Sequence, residues 1–459
     1  MVSTRPRKHT PYTEREKKRM ETELERIAEI ANAKPKERFT SLAHLINVDS
    51  LKACHWWMEG KKATGVDKVT KEEYETNLDD NLTDLVARMK SQAYKPQPVR
   101  RVFIPKPGTD KKRPLGIMTY EDKLVQTRLA EILNAIYEAD FLDCSHGFRP
   151  KRDCHSALAA LAGIIEREPV NYIVDADIKG YFDHVDHEWL MKFLAVRIAD
   201  PNILRLIARF LKAGVMEAGI KYDTPEGTCQ GGAASPIFAN IYLHYVLDLW
   251  FHLVVRKSCK GKAFMVRYAD DFVCCFQVEE DARAFYQALV PRLAKFNLDV
   301  ADEKTRIIAF GRKAEEAKQQ QGGGKPDTFD FVGFTHYCSK GRKGQFRVKR
   351  KTSAKKFRAS LLRCKVWLQQ HRTLPAVILM DLMRVKMLGH YRYYGVTDNS
   401  RALNLFYYEV RRLLFKWLNR RSQRKSFDFD KFILFLARYP LPKPRIYVNI
   451  YTLRSGSAG

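Results

Sequence analysis

Short apolar runs alternate with amphipathic stretches over most of the chain. Between about residues 39 and 337, the runs RRVFI, YIVDADI, FMVRY and FVCCF are short and rich in β-branched or aromatic residues, which is typical of strands. The intervening segment EDKLVQTRLAEILNAIYEA repeats apolar positions at helical spacing. A hydrophilic stretch at 311–327 predicts a surface loop before a further strand, FDFVGF. The pattern predicts a mixed α/β (α+β) core.

The two ends of the chain differ from this core. Near the N-terminus, TEREKKRMETELERIAEIA has a helix-forming composition with a thin apolar stripe, which predicts an exposed helix or a flexible arm within residues 1–36. After Arg350 the sequence becomes helical and basic, and RALNLFYYEVRRLLFKWLNRRSQRK places apolar residues on one side and arginines on the other. Such a face suits a phosphate backbone, although a solvated face of an ordinary helix explains the same pattern.

Charge changes the picture from a generic globular protein to one with a polyanionic partner. The chain has 459 residues, of which 45% are hydrophobic, and a formal net charge of +28. Between residues 340 and 425 there are 24 Lys or Arg against three acids. An anionic membrane surface would also explain this charge, but we find no signal peptide, lipid motif or unbroken apolar span of membrane length. Nucleic acid is therefore the favoured partner.

Nine cysteines are scattered along the chain without a C-x-x-C pair. This spacing predicts buried thiols in a reducing cytoplasm. A zinc-dependent nuclease module would need clustered Cys and His ligands, and the last cysteine is Cys364. We therefore expect no such module.

Candidate catalytic carboxylates occur in two of the predicted strands. Asp270 and Asp271 stand between FMVRY and FVCCF, as expected at the tip of a β-hairpin. Alone, such a pair is most often a solvated turn. In YIVDADI, alternation places Asp175 and Asp177 on the same side of the strand. Since Mg²⁺ prefers hard oxygen ligands, three carboxylates from two strands can hold two such ions for nucleotidyl transfer.

The segment Tyr268–Asp271 resembles the Tyr-x-Asp-Asp palm motif of reverse transcriptases. The resemblance implies that Asp177, Asp270 and Asp271 are the catalytic residues and the ligands of two Mg²⁺ ions, with Mn²⁺ as a substitute. Phe182 matches the aromatic residue that lies under the sugar of the incoming nucleotide in this family. It implies selection of deoxynucleotides, whereas a core aromatic is the alternative interpretation.

Further blocks resemble the fingers and palm of reverse transcriptases encoded by group II introns. The pieces IPKP and RPLGI imply that Lys106 and Arg113 bind the triphosphate, and QGGAASP implies that Gln230 contacts the incoming nucleotide. HGFRP and FDFVGF match blocks near the template and primer, which assigns Arg149 and Gly333 to that duplex. Taken singly, these pieces also fit a solvated basic loop or ordinary tight turns.

The segment GHYRYYGVTDNS and the helix after it resemble the thumb, or maturase, region of group II intron proteins, in particular the bacterial type without a C-terminal endonuclease. The implied fold is a right-hand polymerase with fingers, an antiparallel palm sheet and an α-helical thumb. We predict four parts: a charged extension at 1–36, fingers and palm at 37–344, a helical thumb at 345–410, and a basic DNA-binding-like segment with a tail at 411–459.

The implied function is that of an RNA-dependent DNA polymerase that also binds its group II intron RNA as a maturase. Its expected partners are an RNA template or intron RNA, a DNA primer or target, and deoxynucleoside triphosphates, with no membrane. Two alternatives stay open, namely a non-catalytic RNA-binding splicing factor and a domesticated enzyme of repair, phage defence or a CRISPR locus. The resemblance also implies homodimerisation and a cytoplasmic location.

Overall fold

The structure is a computed structural model that describes residues 14–105, 112–217, 219–224, 226–228, 231–301, 303, 305–314, 316, 326–421 and 427–453; for residues 14–20 only the backbone is described. Within these ranges the chain forms three β-sheets and a set of surrounding helices. The first two sheets are interleaved along the sequence, the third follows them, and the central one carries the predicted carboxylates.

The first part of the chain combines helices with a small sheet. The helices are α1 (Glu14–Ala33), α2 (Val48–Trp57), α3 (Lys71–Glu75), α4 (Leu78–Lys90) and α5 (Tyr120–Tyr137). The strands β1 (Val99–Pro105), β2 (Lys112–Ile117), β4 (Val215–Glu217) and β5 (Ile220–Tyr222) form a sheet in the order β2-β1-β4-β5. Helix α5 begins where Thr119 accepts a hydrogen bond from the Asp122 N–H, which is the role of an N-cap threonine.

The central sheet consists of four antiparallel strands. Its members are β3 (Tyr172–Asp177), β6 (Ala263–Tyr268), β7 (Asp271–Phe276) and β8 (Arg306–Ala309), in the order β6-β7-β3-β8. The helices in this part are α6 (Cys154–Arg167), α7 (His187–Arg197), α8 (Pro201–Leu211), α9 (Ser235–Leu243), α10 (Arg256–Ser258) and α11 (Glu279–Ala294). This confirms the predicted strands YIVDADI, FMVRY and FVCCF.

The C-terminal part begins with a third sheet and continues as a helical bundle. Strands β9 (Phe329–Phe331), β10 (Phe334–Lys340) and β11 (Phe346–Thr352) pair in the order β11-β10-β9. The C-terminal bundle consists of α12 (Ala354–His371), α13 (Ala376–Tyr394), α14 (Ser400–Leu418), α15 (Phe429–Arg438) and α16 (Ile450–Leu453). The helical part thus starts at Ala354 rather than near residue 345, because the chain first completes β11.

The structure also gives no boundary at residue 410. That position lies inside α14, which continues to Leu418. Residues after it, including Phe432, Leu441 and Ile450, are buried in the same apolar core as the preceding bundle helices. The segment that we predicted to be a separate C-terminal unit therefore packs as part of the bundle.

The central sheet separates two apolar cores. Side chains on one face, such as Val174 and Phe272, belong to the core shared with the N-terminal helices. Side chains on the other face, such as Ile173 and Val273, belong to the core shared with the third sheet and the C-terminal bundle. A strand buried on both faces reads as a continuous apolar run, which explains why FVCCF shows no polar alternation.

The N-terminal helix does not stand apart from the protein. Leu24, Ile27 and Ile30 of α1 pack against the first core, and Ala31 is buried. The Arg197 guanidinium donates a hydrogen bond of 3.3 Å to the Ala31 carbonyl. The helix forms as predicted, but its thin apolar stripe is enough to dock its second half onto the core.

One helical stretch of the described chain, from Ser235 to Ser258, is long and apolar enough to cross a membrane by length and composition. We predicted no such span. However, 67% of its apolar window is buried inside the protein, as in the core helix of a globular fold. The stretch begins at Ser235-Pro236, where proline suits the first turn of a helix, and continues through two π-helical segments, His244–Asp248 and Phe251–Val255.

Candidate functional site

The three predicted catalytic aspartates meet at one edge of the central sheet. Asp177 ends β3 and lies directly opposite Asp271, which begins β7. Asp270 precedes Asp271 in the two-residue turn between β6 and β7, and its neighbour Ala269 has a positive φ of 57°. All three aspartates line the same cleft, whose volume is about 1180 Å³. The hairpin turn and strand register therefore bring together residues that are about 95 positions apart in sequence.

Burial makes this edge electrostatically unfavourable for carboxylates without a cation. Burial, with the nearby charges of Asp175, Asp270 and Asp177, raises the pKa of Asp271 to about 7, against a hydrogen bond from the Val332 N–H that lowers it. Burial also raises the pKa of Asp270. Like charges in a poorly hydrated site disfavour ionisation, so a bound cation would relieve them.

The residues fit a divalent metal without forming a complete metal cage. Within the described ranges, no three acidic, histidine or cysteine side chains are grouped so that they would hold a metal by themselves. Mg²⁺ does not need such a group, because it usually takes one or two carboxylates and completes its octahedron with water and substrate phosphates. Asp177, Asp270 and Asp271 supply hard oxygen ligands of this kind at the mouth of an open cleft.

Three other predicted residues line the same cleft. Arg113 lies in β2, where its positive charge lowers the pKa of Asp270 against the effect of burial. Phe182 lies in the 3₁₀ turn Tyr181–Asp183 that follows β3, and Gly333 lies in the turn between β9 and β10 with a φ of 82°. One cleft therefore contains acidic, cationic and aromatic groups from three separate segments of the chain.

Residues 104–336 match the family model described as "Reverse transcriptase (RNA-dependent DNA polymerase)", which is about half of the chain. The chain belongs to the reverse transcriptase family. The family implies a right-hand polymerase fold, and the mixed helix and sheet architecture agrees with it. Reverse transcriptases generally use divalent metal ions.

Similar proteins include products of group II introns. The chain is 39% identical over 233 residues to "Group II intron-encoded protein LtrA" of Lactococcus lactis subsp. cremoris, covering 49% of this chain and 38% of that protein. It is 34% identical over 243 residues to "Protein YkfC" of Escherichia coli K12, covering 47% of this chain and 64% of that protein. It is 32% identical over 97 residues to "Nuclear intron maturase 1, mitochondrial" of Arabidopsis thaliana, covering 20% of this chain and 13% of that protein. The chain thus spans less than two thirds of each of these relatives.

Arg149 is not brought to the cleft of this reverse transcriptase. Its side chain is only 3% exposed and forms an ion pair of 2.8 Å with Glu138. It also donates hydrogen bonds to the carbonyls of Leu142 and Ser145, at 2.7 and 2.9 Å. This placement favours a role in supporting the HGFRP loop, to which Arg149 belongs, over direct contact with a template. Phe148 of the same loop is 48% exposed and lines the cleft instead.

Two further predicted residues, Lys106 and Gln230, lie outside the described residues, and their predicted roles stay predictions. The C-terminal bundle supplies other cationic groups to the cleft that we did not identify from the sequence. Lys356, Arg363 and Lys386 line it from α12 and α13. The sequence indicated only that this part of the reverse transcriptase is basic, because the helix faces that turn inward depend on tertiary packing.

A support of the Tyr-Ala-Asp-Asp turn was also not recognised in the sequence. Arg267 in β6 is fully buried and donates a hydrogen bond of 2.9 Å to the Ala269 carbonyl in the turn. Gly147 lies against the same turn, where an added Cβ would come within 2.3 Å of the Ala269 nitrogen. The HGFRP loop and the β6–β7 hairpin are therefore packed backbone to backbone.

Proposed function

We propose that this protein is an RNA-dependent DNA polymerase that extends a primer 3′-hydroxyl with deoxynucleoside triphosphates. The observation that supports this most strongly is the convergence of Asp177, Asp270 and Asp271 with Arg113 and Phe182 in one cleft, within the segment that matches the reverse transcriptase family. Polymerisation needs carboxylates that bind metal ions, a cation that binds the triphosphate and a side chain that packs against the sugar, and this cleft contains all three kinds of group.

In this proposal Asp177, Asp270 and Asp271 hold two Mg²⁺ ions, or Mn²⁺ as a substitute. When bound, such ions activate the attacking hydroxyl and neutralise charge that develops on the phosphates. Arg113, and by resemblance Lys106 and Gln230, bind and orient the incoming nucleotide. The guanidinium of Arg113 suits the triphosphate because it can pair with two phosphate oxygens at once.

The ring of Phe182 contributes selectivity for the sugar. By resemblance it lies under the sugar of the incoming nucleotide, where a 2′-hydroxyl would collide with it. The backbone that carries the ring is fixed, because the Phe182 carbonyl accepts a hydrogen bond of 2.8 Å from the Thr228 N–H. The backbone of Gly227 packs closely against the same segment, where an added Cβ would lie 3.1 Å from the Phe182 carbonyl oxygen.

The test is primer extension on an RNA template with Mg²⁺ and deoxynucleotides. Asp270→Asn keeps the shape of the side chain and removes its charge, and we expect a loss of synthesis of at least roughly a hundredfold if a catalytic electrostatic contact is removed. Asp79→Asn on α4 is the control, because Asp79 is exposed and pairs only with Lys52 among the described ion pairs. Undiminished synthesis by Asp270→Asn would refute the assigned mechanism.

We further propose that the protein acts as a maturase that binds group II intron RNA. Residues 340–425 contain 24 basic residues against three acidic ones, which supports RNA binding. Similarity to a "Group II intron-encoded protein" also supports the proposal. Contacts between basic side chains and RNA phosphates make binding strongly dependent on salt concentration. We expect binding and splicing of a cognate intron to weaken steeply between 50 and 200 mM salt, as roughly six to ten phosphate contacts would require.

The Asp270→Asn variant also separates the alternatives. If it supports splicing like the wild type, while only the wild type synthesises DNA, polymerisation and maturase activity are two functions of one protein. If the wild type supports splicing and never incorporates a nucleotide, the non-catalytic splicing factor is the correct interpretation. Flanking intron RNA structure in the genome would favour the intron protein, and its absence would favour a domesticated enzyme.

A further inference from the structure

A chain of hydrogen bonds links the C-terminal bundle to one of the catalytic aspartates. The Oδ2 atom of Asp271 accepts a hydrogen bond of 3.0 Å from the Val332 N–H. The carbonyl of the same residue, Val332, accepts a hydrogen bond of 3.0 Å from the hydroxyl of Tyr393 in α13. The two peptide groups of Val332 therefore connect Tyr393 of the C-terminal bundle with Asp271, a proposed metal ligand.

The segment between these two hydrogen bonds has an unusual backbone. Val332 has a φ of 41°, a conformation that is rare for a β-branched residue, and Gly333 follows with a φ of 82°. The turn joins β9 to β10, whose first pair is Phe331 opposite Phe334. Both phenylalanines are buried, so the two ends of the turn are fixed. A strained turn of this kind persists only where surrounding contacts hold it.

Tyr393 is held by several contacts that do not involve its hydroxyl, which also interacts with the Cys154 thiol. Its ring is stacked on Phe334 with 6.1 Å between centroids and 12° between planes. Its backbone carbonyl lies 2.8 Å from the Nε2 atom of His155 in α6. Its ring centroid is 4.7 Å from that of Tyr394. Because these contacts do not use the hydroxyl, removal of the hydroxyl alone should leave the ring in place.

We propose that Tyr393 is a positioning residue for metal binding, whose hydroxyl holds the Val332 turn and thereby orients the Asp271 carboxylate. With one carboxylate oxygen tied to the Val332 N–H, rotation of the Asp271 side chain is restricted, and the geometry offered to a divalent cation is set in part by helix α13. Movement of the bundle when nucleic acid binds would then change the orientation of the Asp271 carboxylate at the metal site. This inference rests on the proposed function, because it assigns a metal to Asp271.

The test compares Tyr393→Phe with Tyr391→Phe, a matched control on the same helix. The Tyr391 hydroxyl is buried and, within the described part of the chain, has no hydrogen-bond partner, so its removal should be neutral. We expect Tyr393→Phe to raise the half-saturating Mg²⁺ concentration of primer extension roughly 3- to 10-fold, the equivalent of one hydrogen bond. The dissociation constant for the primer–template duplex should stay at the wild-type value, and the thermal unfolding midpoint should fall by no more than the loss of one hydrogen bond implies.

A second readout does not depend on activity. Binding of Mn²⁺ to the nucleic-acid-free protein, followed by electron paramagnetic resonance of the free ion, should weaken in Tyr393→Phe by a similar factor and stay unchanged in Tyr391→Phe. If the wild type is active and Tyr393→Phe shows the same Mg²⁺ dependence and the same Mn²⁺ binding as the wild type, this inference is wrong while the proposed function stands. Weaker duplex binding with an unchanged metal requirement would also overturn it, because the hydroxyl would then be a nucleic-acid contact. If the wild type neither binds Mn²⁺ nor incorporates nucleotides, the proposed function and this inference fail together.

Discussion

The buried guanidinium of Arg267 offers the sharpest test of how the catalytic hairpin is held. Its Nε and Nη2 atoms donate to the two carboxylate oxygens of Asp248 at 2.8 and 2.5 Å. Nη1 donates to the Ala269 carbonyl and the Asn240 side chain at 2.9 and 3.1 Å, and Nη2 donates also to the Ser145 hydroxyl at 2.8 Å. All the N–H donors of an arginine therefore have an acceptor, and both charged side chains of the ion pair are 0% exposed.

Arg267→Met removes the cation and leaves Asp248 as an unpaired buried carboxylate. Breaking a buried pair from one side costs about 3–5 kcal/mol of the free energy of unfolding. Replacing both partners, as in Arg267→Met with Asp248→Leu, removes the unpaired charge, and such replacements are often close to neutral. We therefore expect the double variant to recover most of the stability that the single variant loses.

Activity should not recover with stability. In both variants the Ala269 carbonyl loses the donor that holds the Tyr-Ala-Asp-Asp turn, so Asp270 is less well positioned. A displaced hydrogen bond of about 1.4 kcal/mol corresponds to roughly a tenfold loss of rate. Urea unfolding followed by circular dichroism and single-turnover primer extension measure the two effects separately. Arg283→Met is the control, because this arginine is 65% exposed and its pair with Glu279 contributes little.

Two results would refute this reasoning. If Arg267→Met unfolds at the same urea concentration as the wild type, the buried pair does not stabilise the fold. If the double variant regains both stability and the full rate of nucleotide incorporation, Arg267 contributes to folding alone and the hydrogen bond to the turn has no effect on catalysis.

Three further predictions concern single positions. Gly147→Ala should abolish most primer extension while the circular dichroism spectrum stays native, because the new Cβ would lie 2.3 Å from the Ala269 nitrogen and displace the turn; a fully active variant would contradict this packing. Phe182→Ala should reduce discrimination against ribonucleotides by roughly 10- to 200-fold, measured as the ratio of kcat/KM for the two nucleotide types, and an unchanged ratio would remove the ring from the sugar site. Burial and the charge of Arg350 lower the pKa of His336 from 6.5 to about 3, so the neutral form is favoured in the fold. The contribution of neutral His336 to the free energy of unfolding is fully present above pH 6.5. It is lost as the pH falls towards 3, by up to about 1.4 kcal/mol per pH unit. His336→Phe, which keeps the stacking on Phe329, should unfold in urea with less dependence on pH in that range, whereas an equal dependence would assign the acid sensitivity to other groups.

The carboxylate edge could be predicted from the sequence because each step was local. Alternation along YIVDADI placed Asp175 and Asp177 on one side of a strand, and the apolar runs around Asp270 and Asp271 predicted a hairpin tip. The register that puts Asp177 opposite Asp271 follows from strand pairing, which alternation alone does not specify. The family resemblance supplied that missing step.

Element boundaries in the C-terminal part could not be predicted in the same way. The composition becomes more basic after residue 410, with seven Lys or Arg in residues 411–425 against one in residues 400–410, yet α14 runs without interruption from Ser400 to Leu418. The one-sided apolar pattern of RALNLFYYEVRRLLFKWLNRRSQRK already runs across this position, and Val410 and Leu414 of that face are buried in the bundle core. That this face is buried depends on tertiary packing, which the local sequence does not specify. For the same reason, the packing of α1 onto the core was visible only as a thin apolar stripe.

The roles of the arginines show most clearly where sequence reasoning ends. Arg149 and Arg267 each stand beside a recognisable block, and nothing local distinguishes a guanidinium that faces a phosphate from one that ties two loops together. In the structure both are buried, as are Arg128, Arg197 and Arg350. Each of the five forms an ion pair with an acidic side chain, so together they leave the net charge of +28 unchanged. The count of 81 Lys and Arg therefore overstates the number of cations that nucleic acid can meet. The argument for a C-terminal nucleic-acid surface survives this correction, because Arg350 alone among these five lies between residues 340 and 425, where 24 basic residues are concentrated.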